Sequence, residues 1–546
     1  MSARRRAQEC ELTSETRKGE NSSQTENAGT RRLGATLVLL ECLSVAAWLA
    51  VIVSQPFFPT LDGPGLLYVT DAIRHLLRNP AAYGGAYALG HIVGSHVVFI
   101  YLLMGLSVFM GAIAAEKTLI AGYVVAFWLA SRYLINSVAD GNRNGLSIVC
   151  LPFALGAAAY LGFYDFILGV AATLFACGYW IRSTRRWTRW RVAGFLPIGV
   201  LLIALHPITT FVFLVFAGIH TLIDQLMEWR GGRFRLRALA APVLQLFVVG
   251  LLLLAATPLP ANPDPSSFTA VPIGQRLREI ATLRPVCPFE SRTYRLALTA
   301  LCVSAIVILL LTLLRDGRSS LQPAFCALLL SSAAMLGAYL AVPDTIHENA
   351  YFLERFAIFA VLFLLAATAI VTASLPRLAL IGIGVAVVAY TALFQYSVNR
   401  EYASQWSQVF QAPVVSHARM GALVLESPDN AELIYGPQQW VGAHYFRRSQ
   451  LAMLNAPWMG QAGAWLRTTG RYPCQFLNPQ DMGTCLEAAA PPPPIDLLVA
   501  VRTKAGPASA QTTRIAAKYC LTRQIWAAPL VSIFARPEAS TSPAAP

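Results

Sequence analysis

From Leu33 to Phe394 long apolar runs alternate with short polar ones, and the runs have the length that a bilayer requires. A helix needs about 20 apolar residues to cross a hydrocarbon core. About eleven stretches reach or approach that length: 33–53, 91–114, 118–138, 163–181, 192–206, 208–224, 238–257, 296–314, 321–341, 356–373 and 378–395. An odd number of crossings puts the two ends of the chain on opposite sides. The apolar segment 146–160 is left over and reads as a re-entrant or half-buried piece, because non-helical backbone at membrane depth survives only where protein or a water-filled cavity covers it. The stretches 192–206 and 208–224 meet at His206-Pro207 and must turn at or below the surface. Residues 1–32 carry Arg4-Arg5-Arg6 and many polar residues, the composition of a disordered tail. Beyond about Gln395 the apolar runs shrink to strand length, as in 432–435, Ile495–Val501 and Ile525–Phe534. The pattern predicts an all-α polytopic membrane domain over 33–395, then a small α/β domain over 396–546 with a stiff Pro491–Pro494 spacer and a disordered end.

Composition excludes a soluble globular class: 56% of the 546 residues are hydrophobic and 13% charged, and the mean hydropathy is +0.53. The net charge of +14 does not imply nucleic acid, because the basic residues fall in short loops between apolar runs. Loops 1–32, 115–117, 182–191, 225–237, 315–318 and 374–377, assigned to the cytoplasm, hold 20 Lys and Arg; loops 54–90, 139–145, 258–295 and 342–355 hold 9. The positive-inside rule then sets the N-terminus in the cytoplasm of an inner-membrane protein and the C-terminal domain in the periplasmic or extracellular space. Cys474 and Cys485 lie close enough in sequence to close a small loop on that oxidising side; a bridge and two free thiols are equally open readings. No cysteine spacing suggests zinc.

The loop Leu61-Asp62-Gly63-Pro64, just past the first apolar run, sets a carboxylate at the membrane surface. Pro64 suits the first turn of a helix over Gly65–Arg78. That helix is amphipathic, with Leu66, Val69, Ile73, Leu76 and Leu77 on one face and Thr70, Asp71, Arg74, His75 and Arg78 on the other, so it is expected to lie in the outer interface. Asp62 either caps this helix or serves as a base held ionised by the helix dipole, and the two roles are compatible. Asp71 reads as a surface ion-pair partner of Arg74 and His75. Arg276, Arg278 and Arg284 form a basic excess in a loop where the charge rule disfavours one. Arg355, beside Glu354 and near His347 and Glu348, stands at the outer mouth of a span. His206 and Asp165 are polar residues set among apolar ones, expected at a cavity or as satisfied structural groups.

Asp62-Gly63-Pro64 with Leu67-Tyr68, then Gly162-Phe163-Tyr164-Asp165-Phe166-Ile167-Leu168-Gly169, His206-Pro207 and Glu354-Arg355-Phe356 follow one another in an order that resembles bacterial membrane proteins of the GT-C glycosyltransferase superfamily, over most of residues 33–400. The resemblance implies transfer of a sugar from a polyprenyl-phosphate donor to a glycan or lipid acceptor on the outer face, with inversion. Asp62 would then be the catalytic base. Arg355, Arg276, Arg278, Arg284, His347, Glu348, His206, Asp165 and Asp71 would be the candidates for substrate binding, the arginines because their planar fork suits phosphate oxygens. Many members carry two adjacent acidic residues in the first loop. This chain has no such pair there, which leaves a divalent metal, and activity itself, as open readings. The competing classes are a transporter or flippase, which would use paired intramembrane charges or repeated halves, and an inactive relative acting as a scaffold.

Overall fold

Each apolar run satisfies its backbone polar groups internally, the condition for burial in lipid, and the computed structural model shows the result as helices. The structure describes residues 32–90, 98–139, 143–184, 189–230, 236–256, 268–269, 271–316, 322–343, 345–346, 352–371, 374–416, 418, 420–426, 440–455, 466–468, 474, 479–490, 492–502, 506–537 and 540–542. The helices are α1 (Arg32–Val53), α2 (Gly63–Arg78), α3 (Val98–Leu106), α4 (Ala112–Val138), the single turn α5 (Ala157–Tyr160), α6 (Tyr164–Thr184), α7 (Arg189–Leu205), α8 (Pro207–Arg230) and α9 (Leu236–Ala256). They continue with α10 (Ile273–Ala281), α11 (Arg292–Asp316), α12 (Pro323–Ala341), α13 (Phe352–Ala367) and α14 (Ser374–Trp406). Among the described residues eight are long and apolar enough to cross a membrane, namely α1, α4, α6, α8 and α11 to α14; α7 and α9 contain shorter apolar stretches.

Two expected crossings change places. The run 91–114 is not a span with a loop at 115–117 behind it: α3 has nine residues, and α4 is one continuous helix that already contains Glu116 and Lys117. The Lys117 ammonium donates to the carbonyls of Val53 (2.9 Å) and Gln55 (2.5 Å), so α4 starts where α1 ends. From there α4 and α6 run parallel. At their starts the Tyr164 hydroxyl donates to Glu116; at their ends Arg182 Nε donates to Ser137 Oγ at 2.9 Å. Two such helices run parallel only if the chain between them returns the full length, so 146–160 makes a complete pass instead of a re-entrant half.

Contacts fix both ends of that pass. At one end Glu41 of α1 accepts from Gly145 N (2.8 Å) and Ser147 Oγ (2.6 Å); at the other the carbonyls of Tyr160 and Leu161 accept from the N–H groups of Leu61 (2.8 Å) and Asp62 (3.2 Å). The loop 139–145 therefore lies at the end where α1 begins, opposite to its expected side, with the Asn144 carbonyl accepting from Arg377 (2.6 Å). The pass is built from tight 3-10 turns over Leu146–Val149 and Leu151–Phe153, and α5. A 3-10 turn rises about 2.0 Å per residue against about 1.5 Å in an α-helix, so the seven residues in such turns lengthen the pass by a few ångströms over an α-helix of the same size. Its carbonyls are met from outside where the local ladder fails: Tyr123 donates to Ala154 O (2.9 Å) and Gln395 to Leu155 O (3.0 Å).

After α14 the chain forms a mixed sheet. The strands are β1 (Tyr87–Leu89), β2 (Phe268–Thr269), β3 (Thr345–Ile346), β4 (Val414–Ser416), β5 (Met420–Glu426), β6 (Ala452–Met453), β7 (Leu466–Thr468), β8 (Leu497–Arg502), β9 (Arg523–Ala528), β10 (Val531–Ala535) and β11 (Ser540–Ser542). Five of them form the order β6-β5-β8-β10-β9, with β5 parallel to both its neighbours and β10 antiparallel to both of its own. The helices of this part are α15 (Gln408–Gln411), α16 (Ala443–Ser449), α17 (Pro479–Ala488) and α18 (Ala510–Lys518). α17 packs on β5, which with β8 is buried along its whole length. The run Ile525–Phe534 is a hairpin, β9 and β10, turning at Pro529-Leu530. The run 432–435 and the tail 1–31 lie outside the described residues. Cys474 and Cys485, whose pairing the sequence left open, are bridged, with Cα atoms 5.7 Å apart.

The Glu41 carboxylate is fully buried and pairs with Arg132, whose other amine donates to Asn144 Oδ1 at 2.7 Å. Arg132→Ala leaves that buried charge without its cation. It is expected to cost about 3 kcal/mol, read as a fall in the midpoint of thermal unfolding of the detergent-solubilised protein, with Arg132→Lys losing less.

Candidate functional site

Asp62 stands at the N-cap of α2, yet its carboxylate makes no capping bond. The first helical N–H, that of Gly63, goes to Thr60 Oγ1 at 3.1 Å, and Pro64 after it has none to give. Asp62 contributes only its carbonyl to the helix, accepting from Leu66 N at 2.9 Å. The side chain is therefore not spent on the turn. Gly162, at the top of the returning pass, supports Asp62 from below. Its φ is +79°, and a Cβ there would lie 3.0 Å from Gly63 N and 3.1 Å from Asp62 Cβ, so both conformation and space demand glycine. Gly63 is constrained by space alone, from the other side: a Cβ on it would fall 2.5 Å from Glu116 Oε1 and 2.7 Å from the Tyr164 hydroxyl.

Those two distances bring a second carboxylate to the site. Glu116, in the first turns of α4, is buried and accepts from the Tyr164 hydroxyl. Tyr164 in turn shares a 3.1 Å hydrogen bond with Thr60. From α13 the Arg355 guanidinium lies 4.7 Å over the ring of Phe163, the residue after Gly162, and 5.9 Å from that of Phe166. Its charge acts on Asp62. Removal from water pushes the Asp62 carboxyl up to about 7, with Arg355 pulling the other way. Asp62 and Arg355 thus face one place, at the end of the bundle that carries the small domain.

The remaining candidates divide. Asp165 accepts from Phe99 N at 2.8 Å and so caps the start of α3; Phe99 stacks on Tyr164, with ring centroids 4.2 Å apart. The buried His206 accepts through Nδ1 from Ile208 N (3.1 Å), capping α8, and meets Phe166 edge-on at 5.2 Å. Arg276 is buried and donates to the carbonyls of Tyr339, Leu340 and Val342 at 2.6–3.0 Å, closing the C-terminus of α12. Arg284 pairs with Glu279 (2.9 Å) and Glu290 (3.3 Å), and Arg278 is exposed on α10. Asp71 does not pair along its own helix; it meets Arg447 of α16 at 3.3 Å. His347 and Glu348 lie outside the described residues.

Sequence reasoning missed Glu116, Tyr164, Thr60 and Arg447. Glu116 and Lys117 interrupt an apolar stretch, which is the signal of a loop, and Tyr164 stood inside a motif whose role had been given to its neighbour Asp165. Arg447 carries no local signal. No group of three or more His, Cys, Asp or Glu side chains converges among the described residues. Asp62 and Glu116 are the two carboxylates brought to this place by the described residues, and one Glu116 oxygen is engaged by Tyr164.

No protein-family model and no curated protein matches the chain. Among solved structures it is similar to ArnT from Cupriavidus metallidurans bound to undecaprenyl phosphate, at 11% identity and a TM-score of 0.49 over 92% of this chain and 98% of that one. It is also similar to the Archaeoglobus fulgidus oligosaccharyltransferase in complex with Zn and sulfate (13% identity, TM-score 0.46, 85% and 67% covered). A third likeness is to AglB of the same organism with an inhibitory peptide and a dolichol-phosphate (13%, TM-score 0.42, 85% and 69%). These are GT-C glycosyltransferases.

Gly162→Ala adds a methyl in a left-handed conformation against the backbone that holds Asp62. A stability loss of about 1–2 kcal/mol and a larger proportional loss of any activity that depends on Asp62 are expected, checked by thermal unfolding and turnover measured on one preparation.

Proposed function

We propose that the chain is a membrane transferase that moves a sugar from a polyprenyl-phosphate donor onto a hydroxyl of a glycan or lipid acceptor, with inversion at the anomeric carbon. One observation carries the reading: a carboxyl left uncommitted by its helix, raised toward neutrality, faces a guanidinium braced on an aromatic ring. The acceptor oxygen attacks the anomeric carbon while its proton passes to Asp62. The bond from that carbon to the phosphate oxygen breaks, and its electron pair leaves on the phosphate. Arg355 stabilises the charge growing there with donors aimed in advance, and its fork suits two phosphate oxygens. Glu116 and Tyr164 hold the Thr60–Gly63 turn, and so the base, in place. A carboxyl near 7 is a stronger base than an ordinary aspartate and is still ionised near neutrality.

The Cys474–Cys485 bridge supports an oxidising compartment for the small domain, and the Arg447–Asp71 pair sets the site on that same side. The charge asymmetry agrees. Lys117 and Arg143 exchange sides in the corrected topology, leaving the totals at 20 inside and 9 outside. We therefore read the site as outward-facing and the N-terminus as cytoplasmic.

Proteoliposomes supplied with undecaprenyl-phosphate-linked glucose, mannose or arabinose and envelope lipid acceptors should release undecaprenyl phosphate. Asp62→Asn is expected to lower kcat by about 10²–10⁴-fold; turnover that survives this change removes Asp62 as the base, and movement of intact donor across sealed vesicles replaces the transferase with a transporter.

Because the base must be deprotonated, kcat/KM is expected to rise with pH up to about 7 and level off above it. Arg355→Gln removes the charge that holds the carboxyl down, so its acid limb should move to higher pH while kcat falls by about 10²–10³-fold; Arg355→Lys should keep the limb near its original position. An unmoved limb in Arg355→Gln would separate the two residues.

A further inference from the structure

The ion pair between Arg447 and Asp71 joins parts of the chain 376 residues apart, and both side chains are largely shielded, at 16% and 14% exposed. α16, which carries Arg447, packs on α2. The seat is registered by two tyrosines. The Tyr68 hydroxyl donates to Leu451 O (2.9 Å), the Tyr87 hydroxyl donates to Met453 O (2.7 Å), and Met453 N donates back to both. β1 adds an antiparallel pairing with β7, Tyr87 opposite Thr468. Phe57, in the loop leading to Asp62, sits 5.8 Å from the ring of His444. Arg447 is the cation at this seam: His444, one turn before it, is held well below its usual range by burial and by Arg447 itself.

We infer that the small domain is a working part of the site, with Arg447 a positioning residue that latches α2 through Asp71. Asp62 and Asp71 stand at the start and middle of one rigid helix, about 14 Å apart at 1.5 Å per residue. Holding Asp71 therefore fixes the direction from which Asp62 faces Arg355. The inference rests on the transferase reading for its catalytic consequence; the latch itself does not.

The test compares wild type with Arg447→Ala, Arg447→Lys, Asp71→Arg and the charge swap Asp71→Arg/Arg447→Asp, all as full-length protein in nanodiscs. Amide hydrogen exchange over 63–78 reads the latch without any substrate. Turnover of the undecaprenyl-phosphate sugar that wild type consumes reads the site. Arg447→Ala and Asp71→Arg are expected to raise exchange over 63–78 at least tenfold, and Arg447→Ala to lower kcat at least tenfold with donor KM within about threefold. Arg447→Lys should stay near wild type in exchange, which keeps the test alive if the alanine variant does not fold. The swap should recover both protection and most of kcat, since it restores the ion pair with its charges exchanged. Unchanged protection in Arg447→Ala overturns the latch, and a swap that recovers protection but not kcat overturns its coupling to the site. Asp62→Asn run alongside separates the two readings: if it retains turnover the base assignment fails, while the exchange data still decide the latch.

Discussion

The site depends on carrying an irregular backbone through the interior of the bundle. Unpaired peptide groups are costly where no water reaches them, and side chains of α4 and α14 meet the carbonyls of Ala154 and Leu155 within 146–160 while Glu41 of α1 holds its start. What this arrangement provides is direction. With that return in place α4 and α6 start at the same end, which brings Glu116 beside Tyr164, and the pass itself ends in Gly162 beneath Asp62.

Much of the bundle was legible because lipid enforces it. Apolar length marked α1, α6, α8, α11, α12 and α13 close to their observed bounds, while α14 runs on to Trp406, past the expected end at 395, and Asp62 stood out because Gly-Pro ends a run abruptly. The exchange of 91–114 for 146–160 was invisible to the two signals in use. Hydropathy cannot tell an apolar helix that crosses from one that stops after nine residues and restarts, nor recognise a crossing made of 3-10 turns. The charge rule was blind because one Lys and one Arg traded sides, so both assignments balance equally. Glu116 was lost with that mistake: read as a loop residue on the far side, it had no reason to be considered beside Asp62.

The small domain was legible as a composition, not as a partner. Its buried strands announce themselves by unbroken apolar character, but the choice of Asp71 as an ion-pair partner for Arg447 depends on tertiary placement alone. On the helix surface Arg74 and His75 are the expected neighbours at three and four residues. Arg74 instead donates to Ser107 O at 3.0 Å, holding the turn between α3 and α4. Local pairing rules describe isolated helices; α2 is covered on both sides.

The arginines of 258–295 show how a correct anomaly leads to the wrong cause. A basic excess on the disfavoured side does need a reason, and the structure supplies one that involves no ligand. Arg276 neutralises the carbonyl end of α12, and Arg284 is shared by two glutamates. Guanidinium groups so committed have few donors left for a phosphate. Among the arginines proposed from sequence, this shifts the electrostatic work onto Arg355, whose flat face is occupied by Phe163 while its charge acts on Asp62. In the proposed reaction the planar fork of Arg355 would offer two parallel donors to the departing phosphate. A lysine at the same place would keep the charge and lose that direction.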